Sequence, residues 1–205
     1  MVGIIHCGTG NIASVANAIV HLGGEARIVL KPEELEDCER LVLPGVGSFF
    51  GAMQNLRDSG FEPALKIHVR ERKKPMFGIC LGMQVMAEQG AEGGDETGLG
   101  WFAGTVQKMV AENSSVRIPH VGWDQIQIRN RHPLLAGVPE GSDFYFVHSY
   151  TMRVRDSQDV VATCDYADGV TAIVAKENIF ATQFHPEKSQ DHGLKILENF
   201  LDWQP

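Results

Sequence analysis

The 205-residue sequence has no apolar stretch near the roughly 20 residues needed to cross a bilayer, no internal repeat and no low-complexity segment. It also lacks the basic start and apolar core of a secretory leader, because Met1 to His6 runs straight into a glycine-rich turn. The expectation is a protein with no membrane association and a cytoplasmic location. Basic charge is scarce: 18 Lys and Arg face 26 Asp and Glu, giving a formal net charge of -8. The one basic cluster, Arg70, Arg72, Lys73 and Lys74, reads as a solvated helix end. Such a surface does not suit a phosphate backbone, so no nucleic-acid partner is expected. Cysteines are few and scattered, at Cys7, Cys38, Cys80 and Cys164, with no C-x-x-C pair and no clustered histidine. Neither a disulfide framework nor a metal site follows, and no cofactor is called for. What remains is ordinary: 43% hydrophobic residues, enough to bury one core without staples, as a single domain over 1–205.

In the first half, short β-branched runs alternate with segments of helical period, the pattern of a parallel sheet covered by helices. Strands are expected at Val2 to His6, Ala26 to Leu30, Leu41 to Leu43 and Pro75 to Ile79. Ile12, Val15, Ala16, Ile19 and Val20 share a helical face that Gly23-Gly24 stops. A helical turn begins at Pro32, Ser48 caps a helix to about Asp58, and a second helical stretch reaches about Arg72. From Trp101 turns replace helices between the apolar runs: Trp101 to Val110, Val116 to Ile118, Gln125 to Ile128, Asp143 to His148, Val160 to Asp165, Val170 to Ala175 and Ile179 to Phe184. Lys176-Glu177-Asn178 reads as a hairpin turn and Gln89 to Gly98 as a surface loop. A last helix, from about Asp191 to Trp203, packs Leu194, Leu197, Phe200 and Leu201 inward. The fold class is α/β: a mostly parallel central sheet flanked by helices, extended by antiparallel strands of the same sheet in the second half.

Four unusual segments fall at the carboxyl ends of expected strands, the edge where open α/β sheets bind ligands. They are Cys7 to Asn11, Pro44 to Gly47, Gly78 to Gln84 and His185 to Ser189. In Gly78-Ile79-Cys80-Leu81-Gly82-Met83-Gln84 a strand turns tightly into a helix with Cys80 at the corner, the geometry of a nucleophile elbow. The flanking glycines allow close backbone approach, Cys80 is expected in a strained conformation, and the helix N-terminus behind it favours thiolate. A thiol nucleophile needs a base and the base an orienter. His185 and Glu187, two apart in an extended segment locked by Pro186, supply both on one face. Gly45-Val46-Gly47 suits an oxyanion wall completed by the N–H of Leu81.

Together these residues resemble the class I, triad-type glutamine amidotransferases, and among them the glutaminase subunits of imidazole glycerol phosphate synthases. The likeness spans the chain: Gly8-x-Gly10-Asn11, Pro44 to Gly47, Gly78 to Gln84, Pro119-His120-Val121-Gly122-Trp123, Tyr145-Phe146-Val147-His148-Ser149-Tyr150 and His185-Pro186-Glu187-Lys188-Ser189. It implies that Cys80 attacks the carboxamide of glutamine, His185 carries the proton and Glu187 orients His185, with Gln84 among the substrate-binding groups. It also implies a separate (β/α)8-barrel cyclase/synthase subunit that receives the ammonia as the other half of a heterodimer in histidine biosynthesis. Asn11, Trp123 and Lys188 match positions near that interface. Glutaminase activity is then weak until the partner binds its ligand, the Gly45 to Gly47 backbone reorienting to complete the oxyanion hole. His6-Cys7 and Asp124 depart from the family's usual Asp-Tyr and Asn, and the extra charge of Asp124 is expected to meet a basic group on the partner.

Other readings stay open on residues alone. Gly8-Thr9-Gly10-Asn11-Ile12-Ala13 matches a dinucleotide-binding G-x-G-x-x-A, although the second strand ends in Lys31 rather than an acid. A stand-alone cysteine hydrolase of similar fold would act without a partner. A paralogous glutaminase feeding a related barrel in surface-sugar amidation would share the same motifs.

Overall fold

The computed structural model describes every residue except 7, 9, 10 and 112–115. Strands apolar at nearly every position need cover on both faces, and the first half of the chain builds that arrangement. In order come β1 (Val2–Ile5), α1 (Ile12–His21), β2 (Ala26–Val29), β3 (Arg40–Gly45), α2 (Phe49–Asp58), α3 (Phe61–Leu65), β4 (Met76–Cys80) and the single turn α4 (Leu81–Gln84). β1 pairs in parallel with β2 and β3, and β3 with β4. Side chains alternate across this sheet. Ile4, Val42 and Phe77 face α1 and the last helix, while Ile5, Leu41, Leu43 and Met76 face α2 and α3. In α1 it is Ile12, Val15, Ala18 and Ile19 that are buried, with Ala16 partly so. Val20, expected inward, is 59% exposed because it lies on the solvent flank of the last turn. Ser48 caps α2 as expected, its Oγ accepting from Gly51 N–H at 3.2 Å.

The second half holds β5 (Ala87–Gly90), β6 (Glu96–Thr97), β7 (Phe102–Lys108), β8 (His120–Ile128), β9 (Asp143–His148), β10 (Tyr150–Val154), β11 (Val160–Cys164), β12 (Val170–Lys176), β13 (Ile179–Thr182) and α5 (Gln190–Asp202). Nine strands form one sheet in the order β2-β1-β3-β4-β13-β12-β11-β8-β9. β13 is parallel to β4, and the antiparallel extension runs from β12 to β9. Glu177 and Asn178 make the expected hairpin between β12 and β13.

Three expectations are corrected. The run at 102–108 leaves the main sheet and joins β5, β6 and β10, a strand not expected, in a second, four-stranded sheet. The segment 89–98, expected as a loop, carries strands because its glycines make room rather than slack: a Cβ on Gly90 would lie 2.4 Å from the Phe49 ring, and one on Gly98 2.2 Å from Ala87 O. Val116 to Ile118 is not a strand, and β8 instead begins at His120. α5 buries Ile196, Leu197 and Phe200, with Leu194 and Leu201 partly covered, and Phe200 meets Phe77 edge-on at 5.3 Å. Arg40 reaches from β3 to the carbonyls of Phe200 and Trp203, satisfying acceptors that a helix end leaves open. Among the described residues no helix is long and apolar enough to cross a membrane.

Candidate active site

The turn from β4 into α4 fixes Cys80 at φ 55°, ψ −110°, a region L-residues avoid. Two glycines make it possible. A Cβ on Gly82 would stand 1.7 Å from the carbonyl oxygen of Leu43, so α4 lies directly on β3, and one on Gly78 would meet Met86 Cε at 2.6 Å. The helix behind the sulfur is one turn long, shorter than the motif suggests.

Register brings His185 to Cys80. Gly45 of β3 pairs with Cys80, and Thr182, the last residue of β13, pairs with Ile79. The chain leaving β13 therefore passes beside Cys80 and delivers His185. The loop is held to β9 by His185 N–H donating to Tyr145 O at 3.0 Å and by the Ser189 hydroxyl. That hydroxyl donates to His185 O at 2.6 Å and accepts from Tyr145 N–H at 3.0 Å. His185 is extended, but Pro186–Lys188 is a 3-10 turn. The His185–Glu187 contact is thus made across a turn, not along a strand, since Pro at the first position favours helical entry. His185 Nδ1 and Glu187 Oε1 are 2.8 Å apart, and both side chains are buried. Burial works against the imidazolium, but Cys80 and Glu187 together outweigh it, so His185 is pushed up to about 9. Its Nε2 and the Glu187 Oε2 are buried without a hydrogen-bond partner of ordinary geometry. An unsatisfied buried nitrogen beside Cys80 suits a group that exchanges a proton there.

A cavity of about 300 Å³ opens in front of the sulfur, lined by Val46, Gly47, Cys80, Leu81, Gln84 and Glu92 on one side and by Pro119 and the Val147 to Tyr150 segment on the other. Four of the five residues expected for the oxyanion and substrate line it, and Gly45 lies behind, packed against Leu81 and Gly82. Gly47 has φ 109°, open to glycine alone. Two residues were missed. Glu92 sits in the segment read as a loop; its carboxyl accepts from Phe49 N–H, and burial raises its pKa above the usual range. Gln183 is fully buried, with its amide nitrogen 3.7 Å from Cys80 Sγ. A polar residue two places before His185 in an otherwise apolar strand was the available signal.

Behind the cavity runs a chain of rings. His148 Nδ1 faces Tyr150 O at 2.8 Å, His148 Nε2 faces His120 Nδ1 at 3.1 Å, and His120 Nε2 faces Asp124 Oδ2 at 2.7 Å. Burial pushes His148 down to about 3, so it is neutral, and the Tyr150 carbonyl places its proton on Nδ1. His120 Nδ1 must then donate to it. The link to Asp124 is complete only when His120 is an imidazolium or Asp124 holds a proton. Within the chain Asp124 faces His120, whose pKa burial lowers despite that carboxylate. On the surface Trp123 is 45% exposed and meets Tyr145 edge-on at 6.0 Å, while Lys188 Nζ lies 5.8 Å over the same ring. Asn11 begins α1, its Oδ1 accepting from Ser14 at 2.7 Å. Of the first glycine motif, Cys7, Thr9 and Gly10 lie outside the described residues. Among the described residues no three His, Cys, Asp or Glu side chains gather as a metal would need.

Residues 3–203 match the family model described as glutamine amidotransferase class-I. The chain is 47% identical over 201 residues to imidazole glycerol phosphate synthase subunit HisH 1 of Campylobacter jejuni (strain RM1221), covering 98% of this chain and 99% of that protein. It is 41% identical to subunit HisH 2 of Pseudomonas aeruginosa over 98% and 99% of the two chains, and 41% identical to subunit HisH of Brucella abortus (strain 2308) over 100% and 99%. A solved structure described as glutamine amidotransferase superposes with a TM-score of 0.75 at 22% identity, over 98% of this chain and 97% of that one. PurLQS from Thermotoga maritima gives 0.71 at 21%, over the same shares. These last two speak for the fold.

Proposed function

The chain belongs to the class-I glutamine amidotransferases, and from that premise we propose that it hydrolyses glutamine to glutamate and ammonia for a separate synthase subunit. The observation that carries the chemistry is the buried His185–Glu187 pair at 2.8 Å, with its outer nitrogen unpaired beside a cysteine held at positive φ. Cys80 Sγ attacks the carboxamide carbon, its proton already held by His185, whose charged form Cys80 and Glu187 support. His185 returns that proton to the departing nitrogen, the C–N bond breaks, and ammonia leaves a thioester on Cys80. Water then adds to the thioester, giving its proton to His185. The C–S bond breaks, glutamate departs and the Cys80–His185 pair is restored with the proton on His185. Glu187 keeps the imidazole aligned and stabilises its charged form, as in any triad. The developing oxyanion is met by the N–H of Leu81 and by the Gly45 to Gly47 turn, with Gly47 able to rotate its peptide at low cost. Glu92 carries the charge suited to the α-ammonium of glutamine, and Gln84 lines the same cavity.

The synthase is of the (β/α)8-barrel cyclase type that makes imidazole glycerol phosphate, joined to this chain as a heterodimer in the cytoplasm. Support comes from the names of the full-length relatives and from an apolar strip at the cavity mouth. Exposed Val121 and Trp123 on β8 stand beside their partners Val147 and Tyr145 on β9, and Val147 also lines the cavity. Those relatives do not favour the surface-sugar reading. In the reconstituted pair, Cys80→Ala should lose glutamine-dependent turnover and keep turnover with free ammonia. Glutamine still supporting the reaction in that variant would remove Cys80 as nucleophile.

A further inference from the structure

Gln183 directly follows β13 in a place where water does not reach it, and a polar side chain is stable there only if its groups are paired. The pairing fixes which way its amide points. The Tyr150 carbonyl can only accept, so the Gln84 nitrogen 2.9 Å from it is a donor. The same nitrogen lies 3.0 Å from the Gln183 side chain, which must present its oxygen. The Gln183 nitrogen is left facing Cys80 Sγ at 3.7 Å. Reversing the amide would set nitrogen against nitrogen and oxygen against sulfur. On another side the sulfur is 4.0 Å from the Val147 carbonyl, an acceptor for S–H. The sulfur thus sits between a group that suits the thiol and one that suits the thiolate. The Gln183 backbone is anchored by its N–H donating to Ala172 O at 2.8 Å, and the preceding Thr182 is in register with Ile79, so the amide does not drift.

Resting on the reading of Cys80 as nucleophile, we propose that Gln183 is a positioning residue: its amide, oriented by Gln84, donates to the Cys80 sulfur, favours the thiolate and aims it into the cavity. His185 receives the thiol proton, and Gln183 holds the charge left behind. Neither role replaces the other.

The test is alkylation of Cys80 by iodoacetamide, read at that residue by mass spectrometry from mildly acidic to strongly alkaline pH. A hydrogen bond to a charged group corresponds to about tenfold in thiolate population, so Gln183→Leu should react roughly tenfold more slowly at neutral pH. It should match the wild type once the medium is alkaline enough to ionise every thiol. Gln183→Glu, which turns an acceptor toward the sulfur, should be slower still. If Gln183→Leu does not fold, Gln84→Met, which frees the Gln183 amide to turn over, should show an intermediate slowing. A merely structural role would lower the unfolding temperature and leave the pH profile in place. Profiles of the folded variants that superpose on the wild type overturn the proposal. Because alkylation uses no glutamine, that result leaves the glutaminase reading untouched, whereas failure of that reading appears as glutamine-dependent turnover in Cys80→Ala.

Discussion

Gly82→Ala tests the elbow most directly. The added Cβ would stand 1.7 Å from Leu43 O and 2.8 Å from Leu43 C, where ordinary contact begins near 3.4 Å. Both atoms belong to the backbone of β3, a strand paired to β1 on one side and to β4 on the other. The carbonyl cannot withdraw, so α4 must lift by about 1.5 Å, carrying Leu81 and the sulfur with it. Overpacking costs about 1–3 kcal/mol where side chains yield; here nothing yields, so the upper end or beyond applies. For a chain of this size, about 3 kcal/mol lowers Tm by roughly 6–12 °C. Activity should fall further than stability, since displacements near 1 Å at a reacting atom cost about 10²-fold. Two controls set the scale. Gly78→Ala meets the flexible end of Met86 at 2.6 Å, which can turn aside, and then Gly82 O at 3.0 Å and Ala181 Cβ at 3.1 Å, far milder than 1.7 Å, and should cost less. Gly51→Ala meets only Ser48 Oγ at 3.1 Å in a helix that favours Ala, and should lie within about 1 kcal/mol of wild type. Thermal unfolding and labelling by a thiol-reactive glutamine analogue read both quantities. A Gly82→Ala protein that melts with Gly51→Ala and labels normally would refute the packing of α4 on β3.

His185 keeps its proton to about pH 9 because Cys80 and Glu187 overcome burial, so kcat/KM should decline on an alkaline limb near that pH. Glu187→Gln removes one of the two supports; the limb should move to lower pH and turnover fall roughly 10²- to 10⁴-fold, measured with steady-state kinetics. Glu92→Gln should raise KM for glutamine about tenfold with little change in kcat. As the half-buried Glu92 carboxyl protonates above the usual range, wild-type KM should also rise on mild acidification. Asp124→Asn lets an amide N–H donate to neutral His120 Nε2. Asp124 works against the burial that lowers His120, so its loss lowers that group further. The native state then binds fewer protons in acid, and Tm should be equal to or above wild type at alkaline pH yet fall below it as the pH is lowered.

Much of this molecule is legible in local sequence, for a physical reason. An elbow needs small residues two places either side of the nucleophile, and Gly78 and Gly82 declare it. A Pro after His185 and an acid beyond it declare the base. The alternation of apolar strands and helical periods announces a covered parallel sheet, because backbone polarity must be satisfied and apolar faces buried at each step. These demands act over a few residues, so a few residues record them.

Tertiary structure decided what depends on register and on distant contact. Phe102 and Val106 read as strand residues in any sheet; only the packing of Phe49 over Gly90 and Gly98 fixes the second one. Glu92 is one acid among many until that sheet places it by the cavity. Gln183 is one buried amide until β13 pairs with β4 and Gln84 turns its oxygen away from the sulfur. Asp124 reads as a surface charge until β8 and β9 fold His120 and His148 into line behind it. Short-range sterics and apolar periodicity wrote the Cys80 turn, the His185–Glu187 pair and the layers into the chain; the partners of Gln183 and His120 were set by residues tens of positions away, which no local pattern encodes.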